Sequence, residues 1–177
     1  LYYADRIYQI NLAIAGIAVG TVVLPNLSKK IKENKKHSIN ILQNKSLELS
    51  LALSLPAAFG LFIASKEIVS SLFGYGSFTQ DDVGNTSLAL MYFALGVPAF
   101  ALIKVLSSFY FARDNTKTPF YISLFSMITN VFISLVFFKK YGFIIIPIAT
   151  TISSWLSVLI YFIFFNKNKI IIFENKI

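Results

Sequence analysis

Few side chains in this sequence are equipped for chemistry, and those that are sit in apolar company. Asp5 and Arg6 stand together at the start of a long uncharged run, with Gln9 and Asn11 following within two turns. An arginine's planar fork of donors suits phosphate oxygens. Charge at membrane depth is costly and commonly faces a polar cavity, so Arg6 either lines such a cavity or snorkels to the headgroups with Asp5 as its partner. Lys104 is a second cation inside an apolar stretch, about two turns from its end, where its stem reaches either a cavity or the interface. Asn130, Thr150, Thr151, Ser153 and Ser154 are neutral polar groups of the kind that make interhelical hydrogen bonds. No Cys and only one His, His37, are present, which removes thiolate chemistry and leaves little from which to build a zinc site. Paired intramembrane carboxylates, a Ser/His arrangement and an HExxH motif are all missing, so neither an enzyme nor a cofactor is expected. The lone GxG of Phe73-Gly74-Tyr75-Gly76 is too short for a phosphate loop and reads as a turn.

The elements that must carry these residues follow from hydropathy. The 177 residues are 56% hydrophobic and 14% charged, with a mean hydropathy of +0.69; a soluble domain is about 45–50% apolar and about 25% charged. Five segments are free or nearly free of charge: 7–24, 49–65, 83–103, 118–138 and 141–166. Each is close to or beyond the roughly 17–25 residues that cross a bilayer as a helix. The last two lack the charged stripe that a buried helix of a soluble domain would show. The sequence therefore predicts an all-α, polytopic transmembrane bundle of five spanning helices, over about 3–24, 47–67, 80–112, 118–139 and 141–166.

The basic residues orient that bundle. Lys29, Lys30, Lys32, Lys35, Lys36 and Lys45 lie between the first two segments, Arg113 and Lys117 between the third and fourth, and Lys167, Lys169 and Lys176 in the tail. The positive-inside rule puts the loop at 26–46, the third-to-fourth connection and the tail at 167–177 in the cytoplasm. The net charge of +8 is thus mostly an orientation signal, helped by anionic inner-leaflet lipids, and nucleic acid is not needed to explain it. Local punctuation agrees. Thr79 with Asp82 predicts a cap and a helix starting near Gln80. Thr118-Pro119 predicts another start, and Pro25 an end. Pro56, Pro98 and Pro147 mark kinks inside helices. Gly16 and Gly20 form a GxxxG that predicts close approach of another helix. The stretch from Asn26 to Asn44 reads either as a short amphipathic helix on the membrane face or as a solvated linker.

Longer strings then accumulate in order: Tyr3-Ala4-Asp5-Arg6, Gly20-Thr21-Val22-Val23-Leu24-Pro25-Asn26-Leu27-Ser28, Leu55-Pro56-Ala57-Ala58, Leu72-Phe73-Gly74-Tyr75-Gly76-Ser77-Phe78-Thr79, and Phe109-Tyr110-Phe111-Ala112-Arg113-Asp114-Asn115-Thr116-Lys117-Thr118-Pro119. With these the sequence resembles the MurJ (MviN) family of lipid II flippases, within the multidrug/oligosaccharidyl-lipid/polysaccharide exporter superfamily. The resemblance covers nearly the whole chain. It implies part of the C-terminal lobe of a larger two-lobe transporter, helices eight to twelve of about fourteen, whose N-terminal lobe is not in this chain. It implies an inner-membrane flippase that moves undecaprenyl-pyrophosphate-linked lipid II by alternating access for cell-wall biogenesis. It implies substrate binding by Arg6 with Asp5 as its orienter, and leaves Gln9, Asn11 and Lys104 as cavity or packing residues. Some members bind sodium, and on that pattern Asn130 and Thr150 supply oxygens, although Ser134 stands where a carboxylate is expected. Another exporter of the superfamily and a non-transporting membrane scaffold are the alternative readings.

Overall fold

A computed structural model of the chain describes residues 1–13 and 19–167, and every regular element among them is helical. The elements are α1 (Tyr2–Leu12), α2 (Val19–Lys32), α3 (Lys36–Ile63), α4 (Ser65–Phe73), α5 (Gln80–Ala94), α6 (Val97–Phe111), α7 (Lys117–Tyr141), a 3-10 turn over Gly142–Ile144, and α8 (Ile145–Lys167). The all-α expectation therefore holds. Two stretches, Lys36–Ile63 and Lys117–Asn166, carry windows apolar enough to cross a membrane, and α5 and α6 pass the same test together across a bend of 44°. The second stretch is a hairpin: α7, with 25 residues, turns at Gly142 (φ 62°) and α8, with 23, packs back along it. Only a residue without a Cβ adopts that φ freely.

Helix boundaries depart from the sequence reading where polar side chains or tertiary packing take over. Pro25 does not end its helix, since α2 continues to Lys32. Asn26 Nδ2 donates to Val22 O at 2.9 Å and Ser28 Oγ to Leu24 O at 2.9 Å, so side chains bind carbonyls around the proline. The basic stretch 26–46 is neither a separate surface helix nor a linker; apart from a tight turn at 33–35 it is the end of α2 and the start of α3. Ile39 and Leu47 of α3 bury themselves with Leu27, Phe109 and Tyr110, and this packing extends the helix beyond its apolar run. Asn34 (φ 54°) makes the turn and Lys35 pairs with Glu33 at 2.7 Å. Helix α5 begins at Gln80 as expected, under a complete capping box: Asp82 N donates to Thr79 Oγ1 at 3.2 Å and Thr79 N to Asp82 Oδ2 at 2.9 Å. The start of α7 is shifted instead. It opens at Lys117, and Asn115, not Thr118, serves as the capping side chain, accepting from Thr118 N at 3.1 Å.

Two clusters fill the bundle. One joins α2, α3, α6, α7 and α8 around Leu27, Leu106, Phe109, Tyr110 and Phe165; the other joins α1, α3, α4 and α5 around Ile7, Tyr8, Val69, Leu90 and Phe93. Helix α6 links them, packed by α2, α3 and α8, with α1 touching its first part.

The third predicted helix, 80–112, is two helices joined at Leu95–Gly96. Pro98 has no N–H for the carbonyl of Ala94, and Gly96 N donates to Phe93 O at 2.8 Å, leaving the carbonyl of Tyr92 without its helical donor. Helix α8 gives Tyr92 O a replacement donor, Thr151 Oγ1 at 2.9 Å, and Trp155 Nε1 bonds Leu95 O at 3.0 Å. A Cβ on Gly96 would come within 2.9 Å of both Thr151 Oγ1 and the Phe100 ring, so the contact depends on glycine.

Candidate functional site

The polar face of α1 is a consequence of helical spacing. Ala4, Ile7 and Tyr8 are buried against the bundle, while Tyr2, Arg6, Gln9 and Ile10 are exposed and Asp5 sits at the border. Residues four apart share a face, and Gln9 Nε2 duly donates to Asp5 Oδ2 at 2.5 Å. Arg6 turns the other way and holds its guanidinium 5.1 Å from the centroid of the Tyr2 ring. Asp5 thus orders Gln9, while among the described residues Arg6 keeps its donors clear of any carboxylate and rests on a cation–π contact worth about 0.5–1 kcal/mol when exposed. Asn11 belongs to α1 by its backbone, but its side chain lies outside the described residues, as does Gly16 of the GxxxG.

Tyr8 fixes α1 in place. Its ring stacks on Phe93 at 4.8 Å and on Phe100 at 5.3 Å, with interplanar angles of 29° and 28°. Phe93 precedes the α5–α6 break and Phe100 follows it, so one tyrosine is clamped by both arms of the bent helix. Gly20 of α2 lies against α6, where a Cβ would sit 3.2 Å from Ser108 Oγ and 3.6 Å from Lys104 O, the close approach expected of the GxxxG at its described end. Lys104 itself is exposed, and among residues 97–110 of α6 it stands alone in that class. Its carbonyl receives Ser107 Oγ at 3.0 Å and Ser108 Oγ at 2.8 Å. Arg6 and Lys104 therefore lie on different helices, both exposed, neither in a salt bridge among the described residues.

The neutral polar residues gather elsewhere. Ser123, Ser126, Asn130, Thr150, Ser153, Ser154 and Ser157 border an open cleft of about 330 Å³ between α7 and α8. Asn130 Nδ2 donates to Thr150 Oγ1 at 2.9 Å, and Ser126 Oγ to Ser153 O at 3.2 Å, so these groups stitch the hairpin together. Ser134 Oγ donates to Asn130 Oδ1 at 3.5 Å. The pair named for sodium is brought together, but as a hydrogen bond between neutral groups, beside a hydroxyl instead of a carboxylate. Among the described residues no three His, Cys, Asp or Glu side chains converge. These α7–α8 residues do not fit a charged-oxygen cage for a cation.

Tyr8 and Trp155 are the residues that sequence reasoning missed. Tyr8 carried no signal beyond its place beside Asp5. Trp155, the one tryptophan in the chain, was visible as such, but its acceptor is 60 residues away.

Comparison with known proteins gives one consistent result. The profile of the family described as "Lipid II flippase MurJ" matches residues 1–177. A "Probable lipid II flippase MurJ" of Rickettsia prowazekii (strain Madrid E) is 43% identical over 155 residues, covering 88% of this chain and 31% of the relative. A protein of the same description in Rhizobium meliloti (strain 1021) is 38% identical, covering 92% of this chain and 30% of its own length. The solved structure "Lipid II flippase MurJ, inward closed conformation" superimposes with a TM-score of 0.82 at 33% identity, over 93% of this chain and 34% of that one.

Proposed function

Because the chain belongs to the Lipid II flippase MurJ family, we propose that it forms part of the C-terminal lobe of a two-lobe flippase. That flippase carries the undecaprenyl-pyrophosphate-linked peptidoglycan precursor from the inner to the outer leaflet. The chain spans about a third of the length of the relatives it matches, so the opposite wall of the pathway comes from sequence beyond it. In this reading the chain contributes five crossings of the bacterial inner membrane: α1 with α2, α3, α5 with α6, α7, and α8. The turn at 33–35, the connection at 112–116 and the tail face the cytoplasm, as the lysines require.

The observation that carries the reading is Arg6. Its guanidinium is exposed at the rim of an apolar bundle, rests on Tyr2, and is paired with no carboxylate among the described residues. In a water-filled space between two lobes such a group binds a pyrophosphate through two parallel N–H···O bonds, while the polyprenyl tail stays in the bilayer. Asp5 contributes by holding Gln9, so that the face is ordered without neutralising Arg6. Lys104, deeper on the same chain, and Gln9 and Asn11 complete the set of groups that we assign to the pathway. Transport then follows from rocking of the two lobes about that site, with the site opening to one side at a time. No ion-driven step is assigned to Asn130 and Thr150, which are committed to each other.

The test is complementation of a strain depleted of its own flippase. Arg6→Ala in the full-length protein should insert normally yet fail to sustain growth, and should abolish exposure of lipid II on the outer leaflet. Growth and exposure at the wild-type level would overturn the role given to Arg6.

A further inference from the structure

We infer that Thr151 and Trp155 are positioning residues for Arg6, acting across the molecule through the break in the α5–α6 helix. The inference rests on the reading of Arg6 given above, and its geometry stands apart from that reading.

Carbonyls released by a bend are costly in hydrocarbon unless a donor is found. At the Leu95–Gly96 break two of them find donors from the same face of α8, one turn apart: Tyr92 O from Thr151 and Leu95 O from Trp155. These bonds favour the bent state, because a straight helix would offer both carbonyls their own backbone N–H groups and leave the α8 donors idle. Gly96 lets α8 come close enough to make them. The bend in turn sets the spacing between Phe93 on one arm and Phe100 on the other. Both rings stack on Tyr8, so Tyr8 keeps both contacts only near the present 44°. Tyr8 and Arg6 are two residues apart on one helix, Tyr2–Leu12, and a shift of the first carries the second. The route from α8 to Arg6 is therefore two hydrogen bonds, one hinge, two stacked rings and one rigid helix. The break is thus set from α8 and read out on α1, which is the contiguous contact that coupling through a hinge requires.

The chain has no cysteine, which makes the coupling measurable. In the full-length protein, with any cysteine outside this chain replaced, spin labels at Ile10→Cys on α1 and Ile128→Cys on α7 report the distance from α1 to the hairpin. Trp155→Phe removes the N–H and keeps a ring; Thr151→Val removes the hydroxyl and keeps the shape; Thr151→Ser keeps the donor. Each of the first two should shift or broaden the distance by about 1–2 Å, the scale of helix shifts in switching proteins. Lipid II export should fall about tenfold or more, in line with the effect of small misplacements of a binding group. Thr151→Ser should restore both. An unchanged distance, whatever happens to export or to thermal stability, overturns the coupling, because a merely structural loss leaves α1 where it is. A shifted distance with undiminished export overturns the positioning role. If Arg6→Ala itself exports normally while the distance shifts, the reading of Arg6 fails and the hinge coupling survives.

Discussion

Arg6 and Asp82 show how differently two charged side chains are used within one chain. Among the described residues Arg6 keeps its fork clear of any carboxylate, and the fork is what distinguishes it from lysine. Arg6→Lys keeps the charge and loses bidentate geometry, so export of lipid II by the full-length variant should fall between wild type and Arg6→Ala. Asp82, by contrast, is fully occupied. It accepts from Thr79 Oγ1 at 2.6 Å and from Thr79 N at 2.9 Å, and these bonds hold its carboxyl below the ordinary aspartate range. A carboxyl whose folded value is depressed stabilises the fold above its unfolded value, about 3.9, and loses that contribution as pH falls through the folded value. Amide exchange at Gln80–Val83 should thus show the same helix-opening equilibrium from pH 5 to 8, and greater opening below about pH 4. Asp82→Asn should remove that pH dependence. This cap was legible in the sequence because a capping box is local: two residues three apart make the whole device. The partners of Asp5 were not legible, since the spacing allows Arg6, Gln9 and Tyr8 alike and only packing of the helix decides among them.

At the scale of elements, hydropathy found the apolar stretches of α3, α7 and α8 but not where each helix stops. Helix α3 runs to the Lys36 end because Ile39 and Leu47 are buried by α6, a long-range fact invisible to a charge count. The break at Leu95–Gly96 was half legible: Pro98 announced a kink, whereas the donors that satisfy it come from α8. The α7–α8 hairpin depends on similar cross-helix bonds. Interhelical hydrogen bonds in membranes average about 0.6 kcal/mol and reach about 2 kcal/mol. Asn130→Ala should accordingly lower the stability of the full-length protein by about that amount, measured by unfolding in mixed micelles, with little added by Thr150→Ala. Full additivity of the two would mean that the 2.9 Å bond contributes nothing of its own.

For the molecule as a whole, the fold class could be read from composition, and the family from a handful of strings. The proposed site was only half legible, because the pathway proposed between two lobes needs two walls. The orientation proposed here is testable on intact cells. A single cysteine at Lys32, beside the basic turn, should resist an impermeant thiol reagent until the membrane is opened, while one at Lys66 in α4 should react at once. The reverse pattern would invert the topology. The lone tryptophan carries a different consequence. Indole emission depends on what the Nε1 proton is bonded to and on whether water reaches the ring, and here that proton is tied to the carbonyl at the bend. Any straightening of α5 and α6 in the proposed transport cycle would release it. The chain is thereby furnished with a native optical gauge of its own hinge, read without a dye, at the one position where the light would change.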